Sequence, residues 1–183
     1  MTDLAKSLSD LADLFERMSI PYAVMGGIAV RAYGIPRPTH DVDFTIALDR
    51  ANLPPLYQAV RGLGYTVPEQ YEQGWVDQVA GMPLVKFRLY LPGGGVDIDI
   101  FLAESAFQEE LLARRRREVV DDRTIWMVSP EVLILLKLLA GRDRDTADIG
   151  DVMFTQENLD EAYMRRWAKE IGVLDRLDTL LKN

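Results

Sequence analysis

Leu4, Leu8, Leu11, Phe15 and Met18 recur at helical spacing and predict a packing helix over residues 3–18, with Thr2 as its candidate cap. Tyr22 to Met25 is a short apolar run that stops at Gly26-Gly27. Ile28, Ala29 and Val30 then lead into a short helix that Gly34 and Pro36 end. From Asp41 the chain alternates: Val42, Phe44, Ile46 and Leu48 fall on one face, Asp41, Asp43 and Thr45 on the other, as a half-buried strand requires. Residues 52–64 read as a second helix, with Pro54 and Pro55 in its first turn and Gly64 at its end. Short strand pieces are expected around 65–67 and 75–80. Residues 84–91 alternate Val85, Phe87 and Leu89 against Lys86, Arg88 and Tyr90. The turn Pro92-Gly-Gly-Gly joins them as a hairpin to 96–102, where Val96, Ile98 and Ile100 alternate with Asp97 and Asp99. A helix from Glu104 to Glu118 is expected to end in Arg114-Arg-Arg-Arg117, followed by a hairpin that turns at Asp121-Asp122. Ser129 and Pro130 open an apolar helix over 132–140, and further helices are expected over 144–153, 157–169 and 172–181.

These elements predict an α/β (α+β) chain: a mixed, mainly antiparallel sheet flanked by helices, with a C-terminal helical lobe closing a cleft. The 183 residues suit a single domain, 1–183, with 1–128 as the sheet-bearing core and 129–183 as the helical lobe. No cysteine is present, which excludes a disulfide framework, a thiolate metal site and a cysteine nucleophile. No run approaches a membrane span and the N-terminus lacks the pattern of a secretory leader, so a cytoplasmic location with no membrane partner is expected. A net charge of −8 opposes non-specific binding to nucleic acid, and an RNA acceptor would need a local basic patch. Arg114–Arg117 supplies the candidate. It reads either as a solvated helix end or as an electropositive rim for a phosphate-bearing acceptor.

The chemistry gathers at the glycine turn and the alternating acids. Paired glycines let the backbone approach an anion closely, and the first N–H groups of the following helix point outward, so Gly26 and Gly27 can cradle phosphates. Asp41 and Asp43 leave one strand side by side, where like charges repel unless a cation lies between them. Mg²⁺ takes oxygen ligands from one or two carboxylates together with substrate phosphates. With 29 acidic residues in the chain, a lone Asp-x-Asp is more simply the solvent face of a strand. The second such stretch, Asp97-x-Asp99, weakens that simpler reading. Three carboxylates at one sheet edge suit one or two Mg²⁺ ions that activate a hydroxyl and stabilise a leaving pyrophosphate.

Gly26-Gly27, thirteen residues, Asp41-x-Asp43 and a later strand aspartate resemble the DNA polymerase β-like nucleotidyltransferase superfamily. Arg37-x-Thr39-x-Asp41-x-Asp43 is similar to the form taken in the AbiEii-type toxin nucleotidyltransferases. The stretches Leu102 to Gln108, Ser129-Pro-Glu131 and Lys137 to Asp148 look like later blocks of that group, so the resemblance covers residues 20 to 152. It implies a metal-dependent nucleotidyltransferase that moves an NMP group from an NTP to a hydroxyl on an RNA end, a protein side chain or a small molecule. It further implies the toxin of a toxin–antitoxin or phage-defence pair, with a cognate antitoxin-like protein as partner. Asp41, Asp43 and Asp99 would be the metal ligands, with Asp97 the alternative to Asp99. The run Asp99 to Glu104 matches the group better and favours Asp99.

The resemblance places Arg37 and Thr39 on the nucleotide side. It assigns Lys137 to the triphosphate and Asp148 to orienting Lys137 or assisting the acceptor, although the variable spacing leaves Asp143 and Asp145 open. Apart from the resemblance, Lys137 in so apolar a helix reads as a stem along the core with its ammonium at the surface. His40 reads as a structural or solvated loop residue. A rival class, an inactive nucleotide- or partner-binding module, is disfavoured because Asp41, Asp43 and Asp99 are all intact.

Overall fold

The computed structural model describes residues 3–92 and 94–182. Its elements in chain order are α1 (Asp3–Arg17), β1 (Tyr22–Met25), α2 (Gly26–Tyr33), β2 (Asp41–Ile46), α3 (Leu53–Gly62), β3 (Tyr65–Thr66), α4 (Glu69–Glu72), β4 (Asp77–Val79), β5 (Met82–Leu91) and β6 (Gly94–Leu102). They continue with α5 (Ala106–Ala113), β7 (Arg116–Val120), β8 (Arg123–Met127), α6 (Pro130–Ala140), α7 (Asp143–Thr155), α8 (Glu161–Glu170) and α9 (Leu174–Leu181). The Thr2 cap and part of the glycine turn between β5 and β6 lie outside the described residues. Among those residues no helix is long and apolar enough to cross a membrane.

The strands form one mixed sheet in the order β3-β5-β6-β2-β1-β8-β7, with β4 paired to β5. Only β2 with β6 and β1 with β8 run parallel; the other pairs are antiparallel, as expected from sequence. Alternation sorts the two faces. Val42, Phe44 and Ile46 of β2 and Ile98, Ile100 and Leu102 of β6 are fully buried. Phe44 meets Phe15 of α1 edge-on, with ring centroids 5.2 Å apart. The opposite face carries the aspartates, and α6 packs against α2, α7 and α8 beside it.

One expectation is corrected. The helix expected to run to Glu118 ends at Ala113, and Arg116 and Arg117 belong to β7. Val119 and Val120 favour a strand, and pairing with β8 overrides the helical preference of the arginines. The arginines of this run are engaged by neighbouring side chains, with Arg116 and Arg117 exposed. Arg114 pairs with Asp160 at 3.1 Å, and Arg116 reaches the buried Glu131 at 3.6 Å. Arg115 and Arg117 stack on Trp126 at 4.5 and 4.9 Å from the ring centroid. The hairpin at Asp121-Asp122 forms as expected, with φ of 47° and 64° at these two residues, the left-handed geometry of a two-residue turn.

Candidate active site

The register of the sheet builds the centre of the site. Met25 lies opposite Asp43, Asp43 opposite Asp99, and Asp99 opposite Lys86, so one row of residues crosses β1, β2, β6 and β5. The next row outward pairs Asp41 with Asp97 and Asp97 with Arg88. Period-two alternation sends all of these carboxylates to the same face. Asp99 is within 3.4 Å of the Lys86 ammonium, and Asp97 is held at 2.7 Å by Arg88. Asp97 is 59% exposed and Asp99 25%.

Burial, then the neighbouring Asp41 and Asp99 carboxylates, push the Asp43 carboxyl up to about 7. Burial also raises Asp99, opposed by Lys86. Thr39 Oγ1 donates to Asp41 Oδ1 at 2.7 Å and so fixes the orientation of that carboxylate.

Gly26 and Gly27 begin α2, and no side chain caps this helix end. Gly26 has φ of 65°, and a Cβ there would stand 2.6 Å from the Asp43 Cγ, so the turn lies directly on that carboxylate. Gly27 is confined differently. A Cβ on it would come within 2.8 Å of the Thr39 Cβ, while its φ lies outside the left-handed range. The backbone constraint expected of the pair therefore sits at Gly26, and Gly27 is small because the 34–40 loop crosses it. Gly27→Ala is expected to push Thr39 off Asp41 and to cost about 1–3 kcal/mol by overpacking. Urea denaturation measures this, and unchanged stability would mean that the loop yields freely.

The third component is a buried ion network. The Lys137 ammonium, on α6, lies 2.9 Å from Asp145 and 2.6 Å from Asp148, both on α7 and one turn apart. Arg37 adds a two-pronged bond to Asp148 at 2.6 and 2.8 Å. Arg142 binds Asp145 at 3.0 Å. Burial alone would raise both acids. Hydrogen bonds from Arg142 and Lys137 to Asp145, and from Arg37 and Lys137 to Asp148, hold them below the usual carboxylate range. The ammonium of Lys137 is thus buried, not at the surface as its amphipathic stem alone would suggest. Asp145 and Asp148 both face inward, whereas Asp143 is exposed.

Two cavities meet at the acid row. An inner one of about 270 Å³ is lined by Gly26, Gly27, Asp43, Lys137 and Arg142. An outer one of about 840 Å³ is lined by His40, Asp97, Asp148 and Asp151. Asp41, Asp99, Arg37, Thr39, Lys86 and Arg144 line both. Gly26, Gly27, Arg37, Thr39, Asp41, Asp43, Asp97, Asp99, Lys137 and Asp148 all line these two cavities, but Arg37 and Thr39 spend their side chains on Asp148 and Asp41. Lys86, Arg142 and Arg144 were not anticipated. Their signals are the basic face of the β5 alternation and the Arg-x-Arg that follows Gly141.

Among the described residues no three His, Cys, Asp or Glu side chains close around one point. The acids form an open row rather than a cage. Their donors are all carboxylate oxygen, and their charges repel. Both properties suit Mg²⁺, which completes its sphere with water and phosphate oxygens.

A family model described as "Nucleotidyl transferase of unknown function (DUF2204)" matches residues 2–172. No curated protein matches the chain in sequence. Among solved structures, the chain is similar to an antigenic nucleotidyltransferase-like protein from Paracoccidioides brasiliensis, with 24% identity, TM-score 0.56, and 82% of this chain and 74% of that one covered. It is also similar to the lincosamide antibiotic adenylyltransferase LnuA in a lincomycin-bound structure, with 21% identity, TM-score 0.52, and 82% and 97% covered. A third similar structure is ANT(2")-Ia in complex with adenylyl-2"-tobramycin, with 14% identity, TM-score 0.58, and 100% of both chains covered. At these identities the likenesses establish the nucleotidyltransferase fold.

Proposed function

The chain belongs to the nucleotidyl transferase family of unknown function (DUF2204) and is a nucleotidyltransferase; from that premise we propose a divalent-metal-dependent transfer of an NMP group from an NTP to an acceptor hydroxyl. The observation that carries this reading is the cross-strand row Asp43–Asp99, with Asp41 beside it, at the junction of two cavities and against the uncapped start of α2. Asp41, Asp43 and Asp99 would hold Mg²⁺, which when bound neutralises phosphate charge and favours ionisation of the attacking hydroxyl.

The chain's own residues then have separable tasks. The first N–H groups of α2, at Gly26 and Gly27, receive the terminal phosphate oxygens, because no side chain caps them and they stand at the positive end of the helix. Arg142 and Arg144, at the start of α7 and on the inner cavity, add cationic charge there. Lys137 spends its charge on Asp145 and Asp148. Its task is to hold α7 and, through Asp148, to fix Arg37 and the loop that carries Thr39. Asp99, like Asp41, lines both cavities, so it is placed to serve both the nucleotide and an acceptor hydroxyl entering from the outer side. Asp97 lines the outer cavity and is paired with Arg88, which suits a supporting acid rather than a ligand. Transfer of this kind is mainly positioning and charge neutralisation, so no further catalytic group is required.

Incubating the protein with α-labelled NTPs, Mg²⁺ and cell lysate tests this reading by asking which molecule acquires label. Label is expected on one class of acceptor and lost with EDTA. Asp99→Asn should reduce transfer by on the order of a hundredfold or more and Asp97→Asn by about tenfold. Transfer that survives chelation, or a larger loss at Asp97, would overturn the assignment.

A further inference from the structure

The inner cavity has a polar and an apolar lining, and the reactions above use only the polar one. Gly26, Gly27, Lys137 and Arg142 belong to the polar lining. The apolar lining comes from Val79, Ala80 and Met82 and from Leu133, Leu136 and Ala140 of α6. The first three belong to the tip of the β4–β5 hairpin, where Val79 pairs with Met82 across Ala80 and Gly81. Those two turn residues have φ of 51° and 76°, so this is a tight two-residue turn with little freedom to swing. Val79, at the tip, is 40% exposed. Phe101 also lines the cavity and follows Asp99 by two residues on the same face of β6, so the apolar lining begins next to the acid row.

We propose that this apolar lining is the nucleobase subsite: the base lies between the hairpin tip and α6, with its triphosphate running past the acid row to Gly26-Gly27. The inference rests on the nucleotidyl-transfer reading and adds where the base goes and how it is chosen. A flat heteroaromatic suits an aliphatic lining drawn from two elements, which buries its π-faces without hydrogen bonds. None of the six wall side chains carries a donor or acceptor able to read a base edge. Apolar pockets discriminate between similar ligands by about 10- to 200-fold at most, whereas sites that hydrogen-bond their ligand reach about 10⁴ or more. The consequence is an enzyme that grips any nucleobase and selects weakly among ATP, GTP, CTP and UTP.

Calorimetry on the intact protein with Mg²⁺ tests this, using the α,β-methylene analogues of the four NTPs and inorganic tripolyphosphate as the base-free probe. The four analogues are expected to bind within about tenfold of one another and each at least about tenfold more tightly than tripolyphosphate. Val79→Asp places a charge on the exposed tip, where it does not disturb the core. It should weaken all four by about tenfold or more while leaving tripolyphosphate unchanged. A preference for one nucleotide above about a hundredfold would overturn the subsite while nucleotidyl transfer stands. So would equal affinity for nucleotide and tripolyphosphate, or unaltered nucleotide binding by Val79→Asp. Failure of both probes to bind with Mg²⁺ would overturn the underlying reading as well.

Discussion

Asp43→Asn is expected to reduce nucleotidyl transfer by on the order of a thousandfold while leaving thermal stability undiminished. Asp43 occupies the middle of the acid row, flanked by Asp41 on its own strand and by Asp99 across the parallel pair, with the Gly26 backbone packed on it. Burial and those two acids disfavour its charge in the protein by itself. Removing that charge relieves repulsion within the fold, yet it takes away the ligand best placed to share a cation with both neighbours. Activity and stability should therefore move independently. Label transfer from an α-labelled NTP, set beside a thermal melt of the same preparation, measures both. A variant that keeps transfer within about tenfold of wild type would remove Asp43 from the metal site, and one that melts far below wild type would make it a structural residue.

Lys137→Met should have the largest effect on stability, about 3–5 kcal/mol. The ammonium is the shared partner of two carboxylates that are almost completely buried, Asp145 and Asp148. Methionine matches the stem in shape and preserves packing against α6's apolar neighbours, so the loss isolates the charge. Arg142 and Arg37 still face one acid each, but neither replaces the bridge between them. The two carboxylates then confront each other, each short of the hydrogen bond that Lys137 gave it. Urea denaturation gives the difference directly. A variant within about 0.5 kcal/mol of wild type would show that the arginines suffice and that Lys137 is free to serve substrate. Restoring stability in Lys137→Met by adding Asp145→Asn would confirm that the cost lies in the unpaired acid.

Much of the site could be read from order along the chain, because it depends on local periodicity. The alternation from Asp41 to Ile46, and again from Val96 to Leu102, is a property of successive residues. It fixes which side chains share a face whatever the sheet does with them. The same holds for the glycine turn after β1, for the Ser129-Pro130 start of α6 and for the basic-against-acidic faces of the β5–β6 hairpin. The resemblance that these features carry indicated the nucleotidyltransferase fold and narrowed the candidate metal ligands to four.

Other features depended on contacts between residues far apart in sequence. That Asp99 rather than Asp97 stands opposite Asp43 is a matter of strand register, set by the packing of Ile98 and Ile100 against the helices behind the sheet and by a parallel pairing across more than fifty residues. That Arg37 grips Asp148 joins positions 111 residues apart. Period 3.6 places Asp145 and Asp148 one turn apart, but only the position of α7 against α6 turns that face toward Lys137 and leaves Asp143 outside. The arginine run shows the same limit from the other side. Local preference favours more helix through Arg116 and Arg117, and the unpaired edge of β8 pulled them into a strand. By itself the sequence determined the faces and the chemistry they carry, since these follow from covalent geometry repeated residue by residue. The tertiary structure decided which faces meet, because register and helix placement are settled by burial and charge compensation summed over the whole core.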